Sequence, residues 1–433
     1  MEESLFLEYV KKFFEGIVLR TVERLNDRKD GLTYMFRTLL TKRYSPTLTW
    51  QTLSSKNTAI AADIVSLDSS LPLKKRDKVS SYKGDIPKLG MKLKLNERQM
   101  QDLMLLQLSG RNEDALIRGL FEDSQRCITG VWERLEYITH QGLSTGVALV
   151  DSDTNEGTGV RVDYGHPDEQ KYGAIVPWSD SSSKPLDDIT RIRREARING
   201  DIPRVIVMDE ETFENFRNNA QVKELNARTL GMVITSGNFP TPTREALISQ
   251  INSEYQMQLV IVDRYVSFEK NGVVTSVKAW EDNIVSFLPS LNVGSLVYGS
   301  TVEEMHPVGG VEYAKADDFI LVSKYRKNDP LEEYTSSQAF VFPVIDEIEQ
   351  IYILDTEEAA TDAQTEGDAN FDYTTTGGVT DSYTRTSVID ALNLASKRAN
   401  ATAADTDAQL LDKINSLSDK QIETFEANIV AAV

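Results

Sequence analysis

The 433-residue sequence predicts an α+β protein whose domains are interwoven around one long helix. Three observations support this prediction. Apolar residues repeat with helical spacing for about thirty residues after Asn112, strands and helices alternate between residues 186 and 300, and short β-prone runs lie before the long helix and after residue 300. The late strands lack partners nearby in the chain, so we expect them to complete a sheet with earlier elements.

The first predicted element is an amphipathic helix over residues 4–25. Its apolar positions recur at spacings of three and four, and they include Phe6, Phe13, Phe14 and Ile17. This apolar face could pack on its own domain or on a neighbouring subunit, and the sequence favours neither. We therefore keep these four residues as predicted contacts of an N-terminal arm.

Residues 50–95 predict a long two-stranded hairpin. Short β-prone runs are separated by serine, lysine, glycine and proline, and too few positions are apolar to form a core. Between residues 71 and 98 there are nine basic side chains against three acidic ones. A basic hairpin without a core needs a partner surface. The predicted inter-subunit contacts are Lys74, Lys75, Arg76, Lys78, Lys83 and Lys88.

Two helices should follow the hairpin. Asn96 and Gln99 have the spacing of a capping box, and the first helix should end near residue 109. The second begins at Asn112, with Glu113 and Asp114 favourably placed at its positive end. At 1.5 Å per residue, ~30 residues span roughly 45 Å. We interpret this helix as a structural spine.

The region from 186 to 300 predicts alternating helices and strands. Pro185 opens a helix that should stop at Gly200, and Asp209 caps a further helix after a buried strand. The strongest local signal is Asn271-Gly272, since these residues supply the positive φ angles of a tight hairpin turn.

The composition of the sequence becomes strongly acidic after residue 355. From 356 to 433 there are fourteen acidic and five basic residues. Residues 356–380 lack an apolar pattern and read as an acidic linker, whereas three short helical patterns after residue 381 could share one small core.

These elements divide the chain into predicted segments. They are an N-terminal arm with an amphipathic helix (1–48), the long hairpin (49–98), a domain carrying the spine helix (99–185 and 301–355), an α/β domain (186–300), the acidic linker (356–380) and a small helical C-terminal domain (381–433).

Composition excludes several classes of protein. The chain is 40% hydrophobic and 26% charged, as in ordinary globular proteins, and no run approaches the ~18 apolar residues of a membrane span. Glu2 and Glu3 stand where a secretory signal needs positive charge, so we expect the protein to stay in the cytoplasm where it is made. A net charge of −20 disfavours a generally basic surface that wraps nucleic acid.

Motifs for catalysis are missing from the sequence. It contains no phosphate loop, dinucleotide fingerprint, GxSxG or HExxH motif, and its three histidines are scattered. Asp151, Asp153 and Asn155 resemble the start of a calcium loop, but the expected glycine is one place late and Val162 stands at the glutamate position. They are a weak metal candidate, and we predict no enzyme, catalytic residue or cofactor.

The order of arm, hairpin, spine helix, α/β region and returning strands resembles that of tailed-bacteriophage major capsid proteins. The most specific stretch runs from Asn271-Gly272 through Phe287-Leu-Pro289 and Gly294 to Tyr298-Gly299. With the strand pair around Gln338, it resembles the lambda-type major head protein (capsid protein E) family. The resemblance covers about residues 30–355.

This resemblance implies the tailed-phage and herpesvirus major capsid fold. The hairpin (49–98) would be its E-loop, segments 99–185 and 301–355 its peripheral domain with the spine helix, and 186–300 its axial domain, with a three-helix appendage added at the C-terminus. Subunits of such proteins form hexamers and pentamers of an icosahedral shell, assembled in the host bacterial cytoplasm, and become the virion capsid.

The resemblance also implies partners. They are other copies of the chain, a separate scaffold protein, a portal and a decoration protein, and double-stranded DNA enclosed without sequence-specific binding; no membrane partner is expected. An encapsulin-like compartment is the alternative that keeps the fold. An enzyme or a metal-binding module is the less favoured class.

Overall fold

The computed structural model describes residues 2–26, 34–55, 79–109, 113–150, 155, 159–231, 239–359, 370–374, 380–396, 407–415, 417–426 and 428–429. The chain divides into two compact units. Unit 1 comprises Met1–Lys171 and Pro185–Asp355, and unit 2 comprises Tyr172–Lys184 and Thr356–Val433.

The helices are α1 (Leu7–Asn26), α2 (Phe36–Leu39), α3 (Glu97–Ser109), α4 (Glu113–Thr145), α5 (Pro185–Ile198), α6 (Glu210–Asn218), α7 (Ala220–Thr229), α8 (Arg244–Tyr255), α9 (Val302–Met305), α10 (Arg385–Ala395), α11 (Asp407–Asn415) and α12 (Asp419–Glu426).

The strands are β1 (Leu40–Tyr44), β2 (Thr49–Ser55), β3 (Val79–Asp85), β4 (Lys88–Leu95), β5 (Val147–Val150), β6 (Val160–Asp163), β7 (Lys171–Ala174), β8 (Val205–Asp209), β9 (Gln258–Val262), β10 (Tyr265–Lys270), β11 (Val273–Lys278), β12 (Ile284–Leu288), β13 (Gly294–Gly299), β14 (Glu312–Ala316), β15 (Ile320–Asn328), β16 (Leu331–Ile345), β17 (Tyr352–Ala359), β18 (Asn370–Thr374) and β19 (Thr380–Thr384).

A six-stranded sheet forms the centre of unit 1. Its order is β1-β13-β16-β15-β14, and β4 also pairs with β16. β1 runs parallel to β13, whereas the other pairs are antiparallel. Strands from before and after the spine helix therefore share one sheet, as the sequence predicts.

The spine helix α4 has 33 residues and lies against this sheet. Trp132 on its inner side is fully buried. Gly142 permits a close approach: a Cβ there would lie 2.8 Å from Tyr164 Cε2 and 3.0 Å from Ile345 Cδ1. A larger side chain would push the helix away from the sheet.

The α/β part of unit 1 contains a second sheet with the order β17-β12-β8-β9. Asp209 ends β8 and caps α6, because its side chain accepts hydrogen bonds from the backbone N–H groups of Glu211 and Thr212. Asn271 and Gly272 have φ angles of 51° and 77°, and they join β10 to β11. The predicted cap and turn are both confirmed.

Unit 2 has its own small core. The side chains that form it come from hairpin β18–β19, from helices α10 to α12 and from Leu417 between α11 and α12. Its buried members are Phe371, Tyr373, Tyr383, Val388, Ala391, Leu392, Leu410, Ile414, Leu417 and Phe425. In unit 2, Trp178 also donates its backbone N–H to the Thr356 carbonyl at 2.8 Å.

Two segment boundaries need correction. β4 pairs with β16 from Leu95↔Glu333 to Lys88↔Phe340, so residues 88–95 belong to the central sheet and not to the hairpin. The predicted linker 356–380 contains the end of β17, all of β18 and the first residue of β19. Both errors have one cause, since strand pairing depends on partners elsewhere in the chain.

Candidate subunit interface

The hairpin β2–β3 forms a two-stranded sheet of its own and pairs with no other strand in the described part of the chain. Gln51, Lys83 and Asp85 lie exposed on its outer face. The predicted contacts Lys74, Lys75, Arg76 and Lys78 lie outside the described residues. Lys88 is exposed but stands on β4, so the structure separates it from the hairpin.

The base of the hairpin is anchored by Trp50, whose side chain is buried. Its ring stacks on Phe342 of β16, with centroids 6.3 Å apart and an interplanar angle of 15°, and it also contacts Tyr164. Trp50 pairs with Gly84 of β3. A Cβ on Gly84 would lie 2.8 Å from Trp50 Nε1, so glycine at this position leaves room for the indole.

Tyr82 supplies a second anchor two pairs further along the hairpin, opposite Thr52. Its ring covers Gly165, where an added Cβ would lie 2.0 Å from Tyr82 Cζ, and its hydroxyl donates to the Gly165 carbonyl at 3.5 Å. Gly165 also has a φ of +72°, which favours glycine. Trp50 from β2 and Tyr82 from β3 therefore fix the base of hairpin β2–β3 to the rest of unit 1, which we call the body.

The N-terminal helix α1 packs on its own chain. Phe6 and Phe14 belong to the core of unit 1, and Phe14 stacks on Phe121 of the spine helix. Phe13 and Ile17 are half-buried at the edge of that core. Phe6 and Phe14 therefore have no free surface for a neighbouring subunit, whereas contact through Phe13 and Ile17 stays a prediction.

Acidic side chains of the spine helix hold the segment that enters β1. The Glu136 carboxylate accepts hydrogen bonds from the backbone N–H groups of Met35 and Phe36, at 2.8 and 2.9 Å. One turn earlier, Glu133 accepts hydrogen bonds from the Tyr34 hydroxyl at 2.9 Å and from Arg264 at 2.6 Å. Burial and the Glu133 carboxylate raise the pKa of Tyr34. No local pattern in the sequence indicates this cluster, because its members are about a hundred residues apart.

A buried ion pair ties the first residues to the central sheet. Lys324 Nζ lies 3.5 Å from Glu333 Oε1 and donates to the Leu120 carbonyl at 3.0 Å, and burial lowers the pKa of Lys324. Ser4 donates to the same Glu333 oxygen at 2.5 Å. Glu2 adds a backbone bridge and an ion pair with Arg326. These contacts set the start of α1 against β15 and β16.

The single cysteine and two of the three histidines are buried. Cys127 is buried in the spine helix, and burial raises the pKa of its thiol to about 12. His140 is buried too, with Nε2 3.5 Å from Glu136, and burial lowers its pKa. His166 lies between the carbonyls of Pro167 and Ile351, and His306 is exposed. A thiol of this pKa stays protonated at neutral pH.

The weak metal candidate is not tested as a set, because Asp151 and Asp153 lie outside the described residues and only Asn155 is described. Among described residues, Asp209, Glu211 and Asp282 could hold an ion. The Lys278 ammonium donates to Asp209 at 2.9 Å, to Glu211 at 3.4 Å and to Asp282. Lysine thus supplies the positive charge of this cluster.

An open cleft of about 1440 Å³ runs along the spine helix between β4 and the hairpin β10–β11. Its walls carry charges of both signs, including Lys88, Arg126, Glu122 and Glu269. Arg126 pairs with Glu122 at 2.6 Å. Because its charges are of both signs, the cleft does not present the uniformly positive surface that would attract a polyanion. No helix in the described residues is long and apolar enough to cross a membrane.

A comparison with known protein families identifies the family of this chain. The sequence matches the family described as phage major capsid protein E over residues 19–355. The chain belongs to that family. The match includes α1 from residue 19, hairpin β2–β3, the spine helix and both sheets of unit 1. It ends at residue 355, directly before Thr356–Val433, the second segment of unit 2.

The capsid protein E family gives the chain its function, because a major capsid protein forms the shell of a phage head. The predicted fold and the shell-forming role are confirmed, and the prediction that the protein is not an enzyme is confirmed with them. The family match does not extend to the C-terminal appendage, which the structure alone describes.

Solved structures of related description show distant similarity. The putative capsid protein of an E. coli CFT073 prophage is 15% identical, with 79% of this chain and 98% of that chain covered and a TM-score of 0.49. The capsid of cyanophage A-1(L) is 10% identical, with coverages of 77% and 95% and a TM-score of 0.46. A phage-related protein from Bordetella bronchiseptica RB50 is 11% identical, with coverages of 78% and 97% and a TM-score of 0.42. No curated protein sequence matches the chain.

Proposed function

We propose that this capsid protein E family member assembles into hexamers and pentamers that close the icosahedral head of a tailed bacteriophage around double-stranded DNA. The family match over residues 19–355 supports this proposal most directly. Assembly takes place in the host bacterial cytoplasm, and the product is the virion capsid.

The hairpin is the proposed inter-subunit element. Its sheet is separate from the sheets of the body in the described residues, and residues 71–85 of the hairpin carry five basic side chains against two acidic ones. A neighbouring subunit supplies the acidic surface on which it lies. Complementary charge sets the register of such a contact more than it adds affinity.

The net charge of −20 fits a container better than a DNA-binding protein. DNA is confined by the closed shell, so the wall needs no sequence-specific contacts with it. A separate scaffold protein guides assembly, a portal occupies one vertex, and a decoration protein is a further partner. The C-terminal unit faces outward, since its segment 356–433 carries fourteen acidic against five basic residues and packaged DNA would repel it.

Charge reversal in the hairpin tests this proposal. The variant changes Lys74, Lys75, Arg76 and Lys78 to glutamate, and its matched control changes the same residues to glutamine. We expect negative-stain images to show shells for the wild type, none for the glutamate variant and a reduced yield for the glutamine variant. Wild-type protein that yields no shells, with or without a co-expressed scaffold protein, would contradict shell formation. Normal shells from the glutamate variant would contradict the basic contact alone.

A further inference from the structure

The residue at which hairpin β2–β3 leaves the body has an unusual backbone conformation. Leu48 has a φ of +54°, a region that favours glycine, and it directly precedes β2. Its side chain fills the space beside Gly299, where an added Cβ would lie 2.3 Å from Leu48 Cδ2. On the returning side, Ile86 donates its backbone N–H to the Leu48 carbonyl at 2.8 Å. The exit and return of the hairpin are therefore joined at the body.

Beyond Leu48, only one face of the hairpin strands β2 and β3 packs against the body. Trp50 and Thr52 of β2 are buried, and their pairing partners Gly84 and Tyr82 face the same way. Residues between them alternate to the exposed face, as strand geometry requires. Contacts on the inner face therefore decide both the direction of the hairpin and which side chains it presents outward.

The Trp50 indole makes the central contact of that inner face. It lies between Gly84, on the opposite strand of the hairpin, and Phe342 and Tyr164 of the body. Tyr164 is itself fixed, because its hydroxyl donates to the Pro343 carbonyl at 2.7 Å. A planar ring held between a backbone and two fixed aromatic rings has little freedom to tilt.

We propose that Trp50 is the positioning residue of subunit assembly: it fixes the direction of the hairpin in the single subunit, before a neighbour is present. This inference rests on the proposed function, in which the hairpin reaches a neighbouring subunit. A hairpin already ordered in the free subunit loses less conformational freedom on association, so shells form at lower protein concentration. Trp50 is buried within its own subunit and acts through the strands that it holds.

The first test uses the unassembled subunit and amide hydrogen exchange. Trp50→Ala removes the indole, and Gly84→Ala displaces it by placing a Cβ against its ring. Trp280→Ala is the matched control, because Trp280 is buried to nearly the same extent as Trp50 but packs against His140 of the spine helix. We expect exchange in β2 and β3 to accelerate on the order of tenfold or more in the first two variants, and to stay at the wild-type rate in the control. Unchanged exchange in Trp50→Ala overturns the inference and leaves the proposed function untouched.

The second test measures the lowest protein concentration at which shells appear, with each variant compared at the same folded fraction. We expect this concentration to rise about tenfold for Trp50→Ala, to stay unchanged for Trp280→Ala, and to return most of the way for Trp50→Phe, which keeps an aromatic ring on Phe342. A loosened hairpin with shells at the wild-type concentration would overturn the link to assembly. Failure of the proposed function is separate from both results, because there the wild type itself forms no shells.

Discussion

His166 is a buried histidine between two carbonyl groups. Its Nε2 lies 2.9 Å from the Ile351 carbonyl and its Nδ1 lies 3.1 Å from that of Pro167. Burial lowers the pKa of His166 to about 4, although the two carbonyls oppose the shift. The folded protein therefore resists protonation of this ring over a pH range in which the unfolded chain accepts the proton.

This difference predicts a loss of stability in acid. The unfolded histidine titrates near pH 6.5, so the contribution of His166 is complete above that pH and is lost as the pH falls through about 4. Over that range we expect the free energy of unfolding of the wild-type subunit to fall by up to about 3 kcal/mol more than that of His166→Gln. Urea unfolding at pH 7 and pH 4 measures the difference. His306→Gln, at an exposed histidine, is the control, and parallel pH curves for wild type and His166→Gln would refute the prediction.

At the scale of elements, a side chain of the spine helix binds the segment that leads into β1. Glu136 is 1% exposed, and both of its oxygens accept backbone N–H groups at the start of α2. A charged acceptor at this position stabilises the first turn of a short helix that has no other described side-chain cap.

Glu136→Ala should therefore destabilise the subunit by about 3 kcal/mol, because the buried Phe36 N–H and the half-buried Met35 N–H both lose their carboxylate acceptor. Glu122→Ala on the same helix is the control. Glu122 is exposed and pairs only with Arg126 among the described contacts, so its loss should cost less than about 1 kcal/mol. Denaturant unfolding of both variants checks the prediction, and equal costs would show that the Glu136 contact does not stabilise the fold.

The elements that could be predicted from the sequence are those whose signals are local. Asn96 and Gln99 exchange hydrogen bonds of 3.0 Å as the capping box requires, and Asn271-Gly272 forms the expected turn. In the C-terminal unit, the Ser418 backbone N–H donates to Gln421 Oε1 at 3.1 Å, another contact between residues three positions apart. Caps and turns are decided by residues within four positions of each other, so a single sequence reveals them.

What the sequence could not reveal depends on distant partners. Nothing near Lys324 or Glu333 indicates that the two would be buried together beside Ser4. Leu410 and Leu411 show the limit of the apolar pattern: both are leucines of one short helix, yet the structure buries Leu410 and exposes Leu411. The Trp50 contact likewise joins residues nearly three hundred positions apart.

At the scale of the whole molecule, the C-terminal unit is an addition to the family's common part, since the family match ends at residue 355. We expect a chain that ends at Ala359, which keeps β17 whole, to form shells of the same diameter as the full chain. Three-dimensional reconstructions of both shells should show the missing density on the outer surface. Density lost from the inner surface would contradict the outward position.

The central sheet also has a consequence for biosynthesis. β1 and β4 are made early, but β16, the partner of β4, is complete only after residue 345 has been added, at roughly 5–20 residues per second. Phe342, which supports Trp50, is among the last residues needed. A chain released before this point lacks the end of β16, so it has neither a finished central sheet nor the Phe342 ring on which Trp50 stacks.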